Sequence, residues 1–413
     1  MISKLKNIYH YYLALLGAII YRFPSRELVV IGITGTKGKT TSAELLRAVL
    51  QNAGKKTAML SSAHIAYGDE IISTPFHNTM PGRMFIQKFL REAVRRGCTH
   101  AVFEVTSQGV VQHRHRFIDF DVAALTCLHP EHIESHGSYG KYRGAKAQFF
   151  HDVARSSYKV NKKFFINTET GGDAQFFEEA VRHPVGQAPF GEVTFYNREN
   201  FVRNELRGDI KKVSEWLQSD FNLQNAALTC AVAQSLGVSR ESILKDFEDF
   251  QGVAGRLEFV RGKGKTAVID YALTPGSLIA VYKHLRTLLA PGGQLIGVFG
   301  GTGGGRDVWK RPELGKIADE FCEKIYLTRD DSYDEKTEDI IADIQKGITH
   351  QEKVVVVLDR TEAIRAALKE AGPNDIVAIT GMGSQTKTYG PNGSETDWSD
   401  RAAVEQILRE LAS

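Results

Sequence analysis

The sequence predicts an α/β fold in two successive domains, each built on a mostly parallel sheet with helices on both faces. Three observations carry that expectation. Strand-type and helix-type apolar runs alternate from Leu28 onward, the alternation restarts after Gly252-Val253-Ala254-Gly255, and a glycine-rich turn joins the first strand to the first long helix. Length agrees, since 413 residues make two or three domains at about 150 residues each.

Residues 1–27 stand apart from this pattern. Ile8–Ile20 is an apolar run of thirteen residues behind Lys4 and Lys6. It is too short for a bilayer span of about 20, and no small-x-small cleavage site follows it. A short helix is expected there, packed on the body or serving a second copy or a partner subunit, with contact at a membrane surface as the alternative reading and without stable membrane insertion.

The first domain, expected over residues 28–254, opens with the buried-strand run Val29–Ile33. Thr40–Ala53 is helical, with Leu45, Leu46, Val49 and Leu50 on one face, and Gly54 stops it. Thr57–Leu60 reads as a strand, Met84–Arg96 as a helix, His100–Val105 and Val122–Leu128 as strands, and Tyr142–Ala154 as a helix. Strands at Phe164–Asn167 and Val193–Tyr196 precede an alanine-rich helix, Asn222–Leu236. The second domain, Rossmann-like over residues 255–413, repeats the alternation. Its strands are Thr266–Asp270, Leu295–Phe299, Lys324–Thr328, Val354–Leu358 and Ile376–Thr380, with helices at Pro275–Leu289, Leu314–Cys322 and Thr361–Ala371.

Composition narrows the function. With 52 Lys and Arg against 49 Asp and Glu, the net charge is +3, so no basic excess exists to neutralise a nucleic-acid backbone. The four cysteines, Cys98, Cys127, Cys230 and Cys322, lie far apart without a CxxC pair. That spacing speaks against structural zinc and a disulfide framework, and for a reducing, cytoplasmic setting.

The segment Gly32-Ile33-Thr34-Gly35-Thr36-Lys37-Gly38-Lys39-Thr40-Thr41 follows a strand and opens a helix. It is close to the P-loop pattern, with Gly32 and Gly38 as its glycines. Such a loop turns backbone N–H groups onto phosphate oxygens at a helix N-terminus. ATP is the expected ligand, held by Gly35, Thr36, Lys37, Gly38, Lys39, Thr40 and Thr41. Lys39 would reach the β- and γ-phosphates, and the Thr40 hydroxyl would ligate Mg²⁺.

Further segments follow in order. They are Phe103-Glu104-Val105-Thr106-Ser107-Gln108-Gly109 running on to Gln112-His113-Arg114, then Leu125-Thr126-Cys127-Leu128-His129-Pro130-Glu131-His132 with Tyr142-Arg143-Gly144-Ala145-Lys146 beyond. Later come Gly255-Arg256-Leu257-Glu258, Asp270-Tyr271-Ala272-Leu273-Thr274-Pro275, Val298-Phe299-Gly300 and Arg306-Asp307-Val308-Trp309-Lys310-Arg311-Pro312. With the variant Gly-Thr-Lys-Gly-Lys-Thr-Thr of the P-loop, this set resembles the Mur ligase superfamily of ATP-dependent amide-forming enzymes. Within it, the likeness is to the ligases that add the third amino acid of the peptidoglycan precursor.

The resemblance implies roles residue by residue. Glu104 binds Mg²⁺ at its strand end, His132 binds a second Mg²⁺, and Lys146 is carbamylated, a carboxylate-like group bridging metal. Asn78, Thr79, Met80, Thr106, Gln112 and Arg114 contact the acceptor. Arg256 faces the triphosphate, Asp270 lies near the nucleotide, and one of Asn222 and Asn225 reads the adenine. Asp330, Asp331, Gly381 and Gln385 fall where the family grips the incoming amino acid. The implied reaction joins two small molecules: an acceptor carboxylate attacks the γ-phosphate of ATP, and an amino acid's amine captures the acyl phosphate. The second domain brings that amino acid and closes over ATP, with the hinge near Gly252–Gly255. Lys39, Glu104, His132, Lys146 and Arg256 form the implied catalytic set.

Two departures qualify the likeness. Related ligases carry an additional amino-terminal domain that grips a uridine nucleotide, whereas only residues 1–27 precede the P-loop strand in this sequence. At the amino-acid selectivity motif, Asp-Asn-Pro-Arg in diaminopimelate-adding enzymes, this chain reads Asp330-Asp331-Ser332-Tyr333, and the family's Gly-x-Gly-His-Glu becomes Gly381-Met382-Gly383-Ser384-Gln385. No arginine is left there to pair a distal carboxylate bidentately, so diaminopimelate is disfavoured. Competing readings are a ligase for a nucleotide-free acceptor, a P-loop phosphotransferase or NTPase that makes no amide, and a non-catalytic half of a complex.

Overall fold

The computed structural model describes residues 2–73, 79–129, 136–182, 191–305 and 307–411. The chain divides into two compact units, Met1–Gln251 and Gly252–Ser413.

The first unit begins with helix α1 (Ile2–Ile20), then strand β1 (Val29–Thr34) and helix α2 (Lys39–Asn52). Strand β2 (Thr57–Leu60) runs into a hairpin, β3 (His64–Tyr67) and β4 (Glu70–Ser73), before α3 (Arg83–Arg95) and β5 (His100–Glu104). The short α4 (Ser107–Val111), β6 (Val122–Leu125), α5 (Tyr139–Arg155), β7 (Lys162–Asn167), α6 (Asp173–Val181) and β8 (Gly191–Tyr196) follow. Helices α7 (Asp220–Ser235) and α8 (Arg240–Asp249) close the unit.

Its eight strands lie in the order β4-β3-β2-β5-β1-β6-β7-β8. All pairings are parallel except those of the β3–β4 edge hairpin. The central strands β1, β5 and β6 are apolar on both faces, as strands covered by helices on each side must be. Phe103, Phe120, Phe149 and Phe150 fill one face of the sheet.

Gly32 corrects the sequence reading. It lies within β1, where a Cβ would stand 2.5 Å from Phe149 and 2.8 Å from Phe120. It is a packing glycine of the sheet, and the phosphate loop begins only at Gly35.

The second unit holds β9 (Glu258–Gly262), β10 (Lys265–Asp270), α9 (Pro275–Leu288), β11 (Leu295–Phe299), α10 (Lys310–Phe321) and β12 (Lys324–Leu327). Then come α11 (Thr337–Gln345), β13 (Val354–Val356), α12 (Arg360–Glu370), β14 (Ile376–Thr380), the small hairpin β15 (Lys387–Tyr389) and β16 (Glu395–Asp397), and α13 (Asp400–Glu410). The main sheet runs β13-β12-β11-β14-β10-β9, parallel except for the β9 edge. Strand order reverses between β11 and β14, and in open α/β sheets ligands bind outside the carboxyl ends at such a reversal.

A wholly buried ion pair ties α12 to α13. Arg360 donates to Asp400 at 2.8 and 2.9 Å and also to the Thr380 carbonyl at 3.1 Å, at the end of β14. All four cysteines are free and buried. Among the described residues no helix is long and apolar enough to cross a membrane.

Candidate active site

The phosphate loop, Gly35–Gly38, leaves the carboxyl end of β1 and enters α2 through Gly38, whose φ of +80° suits glycine. The segment after β6 pins it from below. Thr36 N donates to the Cys127 carbonyl at 2.8 Å, and the Thr126 hydroxyl donates to the Lys37 carbonyl at 2.5 Å. The Thr36 hydroxyl oxygen accepts from His129 N and from the Tyr142 hydroxyl, each at 3.0 Å. Burial alone would raise the Cys127 thiol, but the His129 ring and the Lys37 backbone hold it below its usual range.

Two lysines converge on this loop. Lys39 Nζ donates to the Gly35 and Thr36 carbonyls at 3.0 and 2.9 Å. Lys146, buried on α5, donates to the same Gly35 carbonyl at 2.8 Å, and its ammonium lies 4.8 Å from the centre of the Tyr142 ring.

In the first turn of α2, the Thr40 hydroxyl donates to Glu104 Oε1 at 2.9 Å. Glu104 stands at the end of β5, where the sheet register sets it beside Ile33 of β1, the strand that leads into the loop. Ser62, after β2, completes the junction: its N–H donates to the same Glu104 oxygen at 2.8 Å, and its hydroxyl lies 2.8 Å from that of Thr40. Hydroxyl and carboxylate oxygens are hard donors suited to Mg²⁺, which commonly takes one or two protein ligands alongside substrate phosphates and water. The residues present fit that ion. Among the described residues no cluster of three or more His, Cys, Asp or Glu offers another metal site, and His132 lies outside the described residues.

Thr41 is buried in the first turn of α2. Asn225, on α7, accepts from Ser42 at 3.2 Å, and its Oδ1 would lie 2.2 Å from a Cβ at Gly38. Asn222 accepts from Asn225 at 3.4 Å and donates to the Trp216 carbonyl at 2.9 Å. Both asparagines are thereby engaged around the base of the loop.

The acceptor residues form a second group. Thr106 caps α4, its hydroxyl oxygen accepting from Gly109 N at 3.0 Å. Arg114 donates twice to Gln112 Oε1, at 3.1 and 2.7 Å, and also to the Met80 carbonyl. Thr79 and Met80 lead into α3, and Asn78 lies outside the described residues.

Sequence reasoning missed Arg83, which donates to the Gln112 carbonyl at 3.0 and 2.6 Å. Burial, then the Arg114 charge, lower the Arg83 pKa, and burial lowers that of Arg114. Two half-buried guanidiniums so close suit an anionic ligand. Ser62 and the Ser107–His136 contact at 3.0 Å were missed as well. Nothing in local spacing distinguishes these residues from ordinary polar ones.

In the second unit, Arg256 stacks over Tyr271, 4.5 Å from the ring centre. Asp270, at the end of β10, accepts from Leu257 N at 2.7 Å. Asp330 and Asp331 follow β12, and Gly381 follows β14. A Cβ at Gly381 would lie 2.5 Å from Asp330 Oδ2. Asp331 accepts from Gln385 Nε2 at 3.0 Å and from Tyr389 N at 2.9 Å. Burial pushes the Asp330 carboxyl up to about 6, Arg360 opposing the rise and Asp331 adding to it. The four residues expected to serve the amino acid therefore gather at one place. At the position of the family's arginine stands Tyr333, stacked on Tyr389 with ring centres 5.9 Å apart.

Comparison with known proteins accords with this geometry. Residues 33–233 match the Mur ligase middle domain, and residues 255–383 match the Mur ligase, glutamate ligase domain. The UDP-N-acetylmuramoyl-L-alanyl-D-glutamate–2,6-diaminopimelate ligase of Halalkalibacterium halodurans is 32% identical, over 94% of this chain and 80% of its own. The UDP-N-acetylmuramyl-tripeptide synthetase of a Roseiflexus species is 31% identical, over 97% and 82%. A solved UDP-N-acetylmuramoyl-L-alanyl-D-glutamate–2,6-diaminopimelate ligase superposes with a TM-score of 0.61 at 24% identity, covering 94% of this chain and 79% of that one. Folylpolyglutamate synthase of Mycobacterium tuberculosis, complexed with ADP and AMPPCP, gives 0.69 at 16% identity, covering 90% and 92%; these two likenesses concern the fold alone. With two domain models matched in order and relatives above 30% identity over most of their length, the chain belongs to the Mur ligase family of ATP-dependent, ADP-forming amide ligases.

Proposed function

We propose that the chain joins an amino acid to the free carboxyl group of a muramoyl peptide, in the cytoplasm, through an acyl phosphate formed from ATP. The observation that carries this reading is the junction of Lys39, Thr40, Ser62 and Glu104 at the phosphate loop, with the Arg83–Arg114 pair in the same unit. In the first step two anions meet, so the residues that cancel charge decide the rate.

Backbone N–H groups of Gly35–Gly38 bind the β- and γ-phosphates, and Lys39 exchanges its loop carbonyls for phosphate oxygens. Arg83 and Arg114 hold the acceptor's carboxylates. Mg²⁺ held by Thr40 and Glu104 supplies further neutralisation of the triphosphate, and His132 and a carbamylated Lys146 would extend that donor set. The carboxylate oxygen bonds to the γ-phosphorus as the bond to ADP breaks. The amine nitrogen, having lost a proton, then attacks the acyl carbon, and orthophosphate leaves. Asp331, oriented by Gln385 and Tyr389 N, receives the incoming ammonium. Tyr333 in place of an arginine disfavours an amine with a distal carboxylate, and so disfavours diaminopimelate.

The test is phosphate release from acceptor–amine pairs, with a muramoyl dipeptide offered both uridine-linked and nucleotide-free. Release only when acceptor and amine are both present, with oxygen-18 passing from the carboxyl group into orthophosphate, is the expected result. Turnover that ignores the amine would leave a phosphotransferase or NTPase instead.

A further inference from the structure

Helix α1 is apolar on two opposite faces, and only one of them is covered. Ala14, Gly17 and Ala18 are buried, α1 lies against α3, and a Cβ at Gly17 would already touch Met84 at 3.0 Å. Tyr11 anchors the same side on Phe117, with ring centres 5.0 Å apart. On the other face Ile8, Tyr9, Tyr12, Leu16, Ile19 and Ile20 are each 48–63% exposed. At 100° per residue these six fall within an arc of about 120°, directly opposite the buried alanines. Lys4 and Lys6 occupy helix positions just outside the two edges of that arc, and Arg22 follows the helix end. No Asp or Glu occurs before Glu27.

We propose that this face of α1 lies on an anionic lipid bilayer surface, a site that the ligase chemistry does not use. A helix lying in the interface buries an apolar stripe among acyl chains, keeps cations at the stripe's borders against lipid phosphates, and seats tyrosines at headgroup level. The charge pattern selects this occupant over a second copy. Because residues 1–26 carry cations and no carboxylate, a parallel pair of α1 helices sets Lys4 and Lys6 against their equivalents. An antiparallel pair sets them against Arg22. A surface bearing phosphate diesters complements both ends. The contact is peripheral, since no described helix can span a bilayer.

The test is co-sedimentation of the full chain with vesicles of phosphatidylcholine alone and of phosphatidylcholine with about a third phosphatidylglycerol. Binding to the anionic vesicles should exceed binding to neutral ones by roughly tenfold or more, since each basic residue near the surface contributes. It should fall steeply between 0.1 and 0.5 M salt, roughly the range over which screening shortens toward contact distance. The double variant Tyr12→Glu with Leu16→Glu changes exposed side chains, so it should keep the wild-type thermal melt and lose the vesicles. Equal binding to both vesicle types, no binding to either, or undiminished binding by the double variant would each overturn the proposal. So would a dimer in light scattering that the double variant disperses while the wild type ignores vesicles.

Discussion

The two units place opposite charges at the same kind of location. In the first, the carboxyl ends of the parallel strands gather cations: Lys39 and Lys146 share the Gly35 carbonyl, and Arg83 and Arg114 bracket Gln112. In the second, the corresponding ends gather carboxylates, Asp270 at the end of β10 and Asp330 with Asp331 after β12, all buried. One sheet edge suits a triphosphate and an anionic acceptor, the other an ammonium. Similar α/β scaffolds thus carry contrary chemistry through a few residues beyond the strand ends.

The largest effect should come from the cationic side. Lys39→Ala removes the ammonium proposed to bind the phosphates and should lower ATP turnover about a thousandfold, with the thermal melt of the protein unchanged. Glu104→Ala should do the same, because it removes the carboxylate proposed to hold Mg²⁺ beside Thr40. If Lys39→Ala instead unfolded the first unit, its two loop hydrogen bonds would be structural, and the contrast between the units would lose its functional half.

Next comes Arg360, a fully buried cation among the carboxylates of the second unit. Arg360→Met leaves Asp400 buried without its partner and should destabilise the protein by about 3–5 kcal/mol in chemical denaturation. Arg360→Met with Asp400→Leu should recover much of that loss. Failure to recover would mean that the Thr380 carbonyl contact, rather than the ion pair, holds these helices together.

Asp330 gives the second unit a pH signature of its own. Its folded pKa of about 6 exceeds the ordinary carboxylate value of about 3.9, so between those values the folded state binds more protons than the unfolded one. The contribution of this group to stability should therefore fall as pH rises from about 4 to about 6, by roughly 2 kcal/mol, and change little above that window. Asp330→Asn should flatten the slope in urea melts taken across it, while keeping the acceptor for Asp331 N. An unchanged slope would assign the titration to another group.

Legibility in the sequence followed how locally each feature is encoded. The phosphate loop was legible because cradling phosphate with backbone N–H groups requires consecutive residues, and the parallel strands were legible because burial on both faces leaves an unbroken apolar run. Ser62, Arg83 and His136 were not, because β2, α3 and α5 bring them to their partners from 42, 29 and 29 residues away. Gly32 was misassigned to the loop, since a glycine demanded by aromatic packing reads the same as one demanded by a turn. The antiparallel edges passed unread for another reason: β3 and β4 are four residues each, too short for alternation to stand out. Their Gly68-Asp69 turn, with φ of +67° at Gly68, was the available signal.

The finest distinction between the units rests on Gln385. Its amide holds one oxygen of Asp331 while Tyr389 N holds the other, so the carboxylate is fixed in orientation before any amine arrives. Gln385→Ala removes one of those two donors and leaves Asp331 free to turn about its last torsion. A hydrogen bond to a charged group contributes about 1.5 kcal/mol, so KM for the amine should rise roughly tenfold. Because ground state and transition state lose the same contact, kcat should hold, and KM for ATP, governed by the lysine-bearing loop of the other unit, should not move. A parallel rise in KM for ATP would show that the cationic and anionic ends do not act independently, and the division of labour drawn from their opposite charges would fail at that residue.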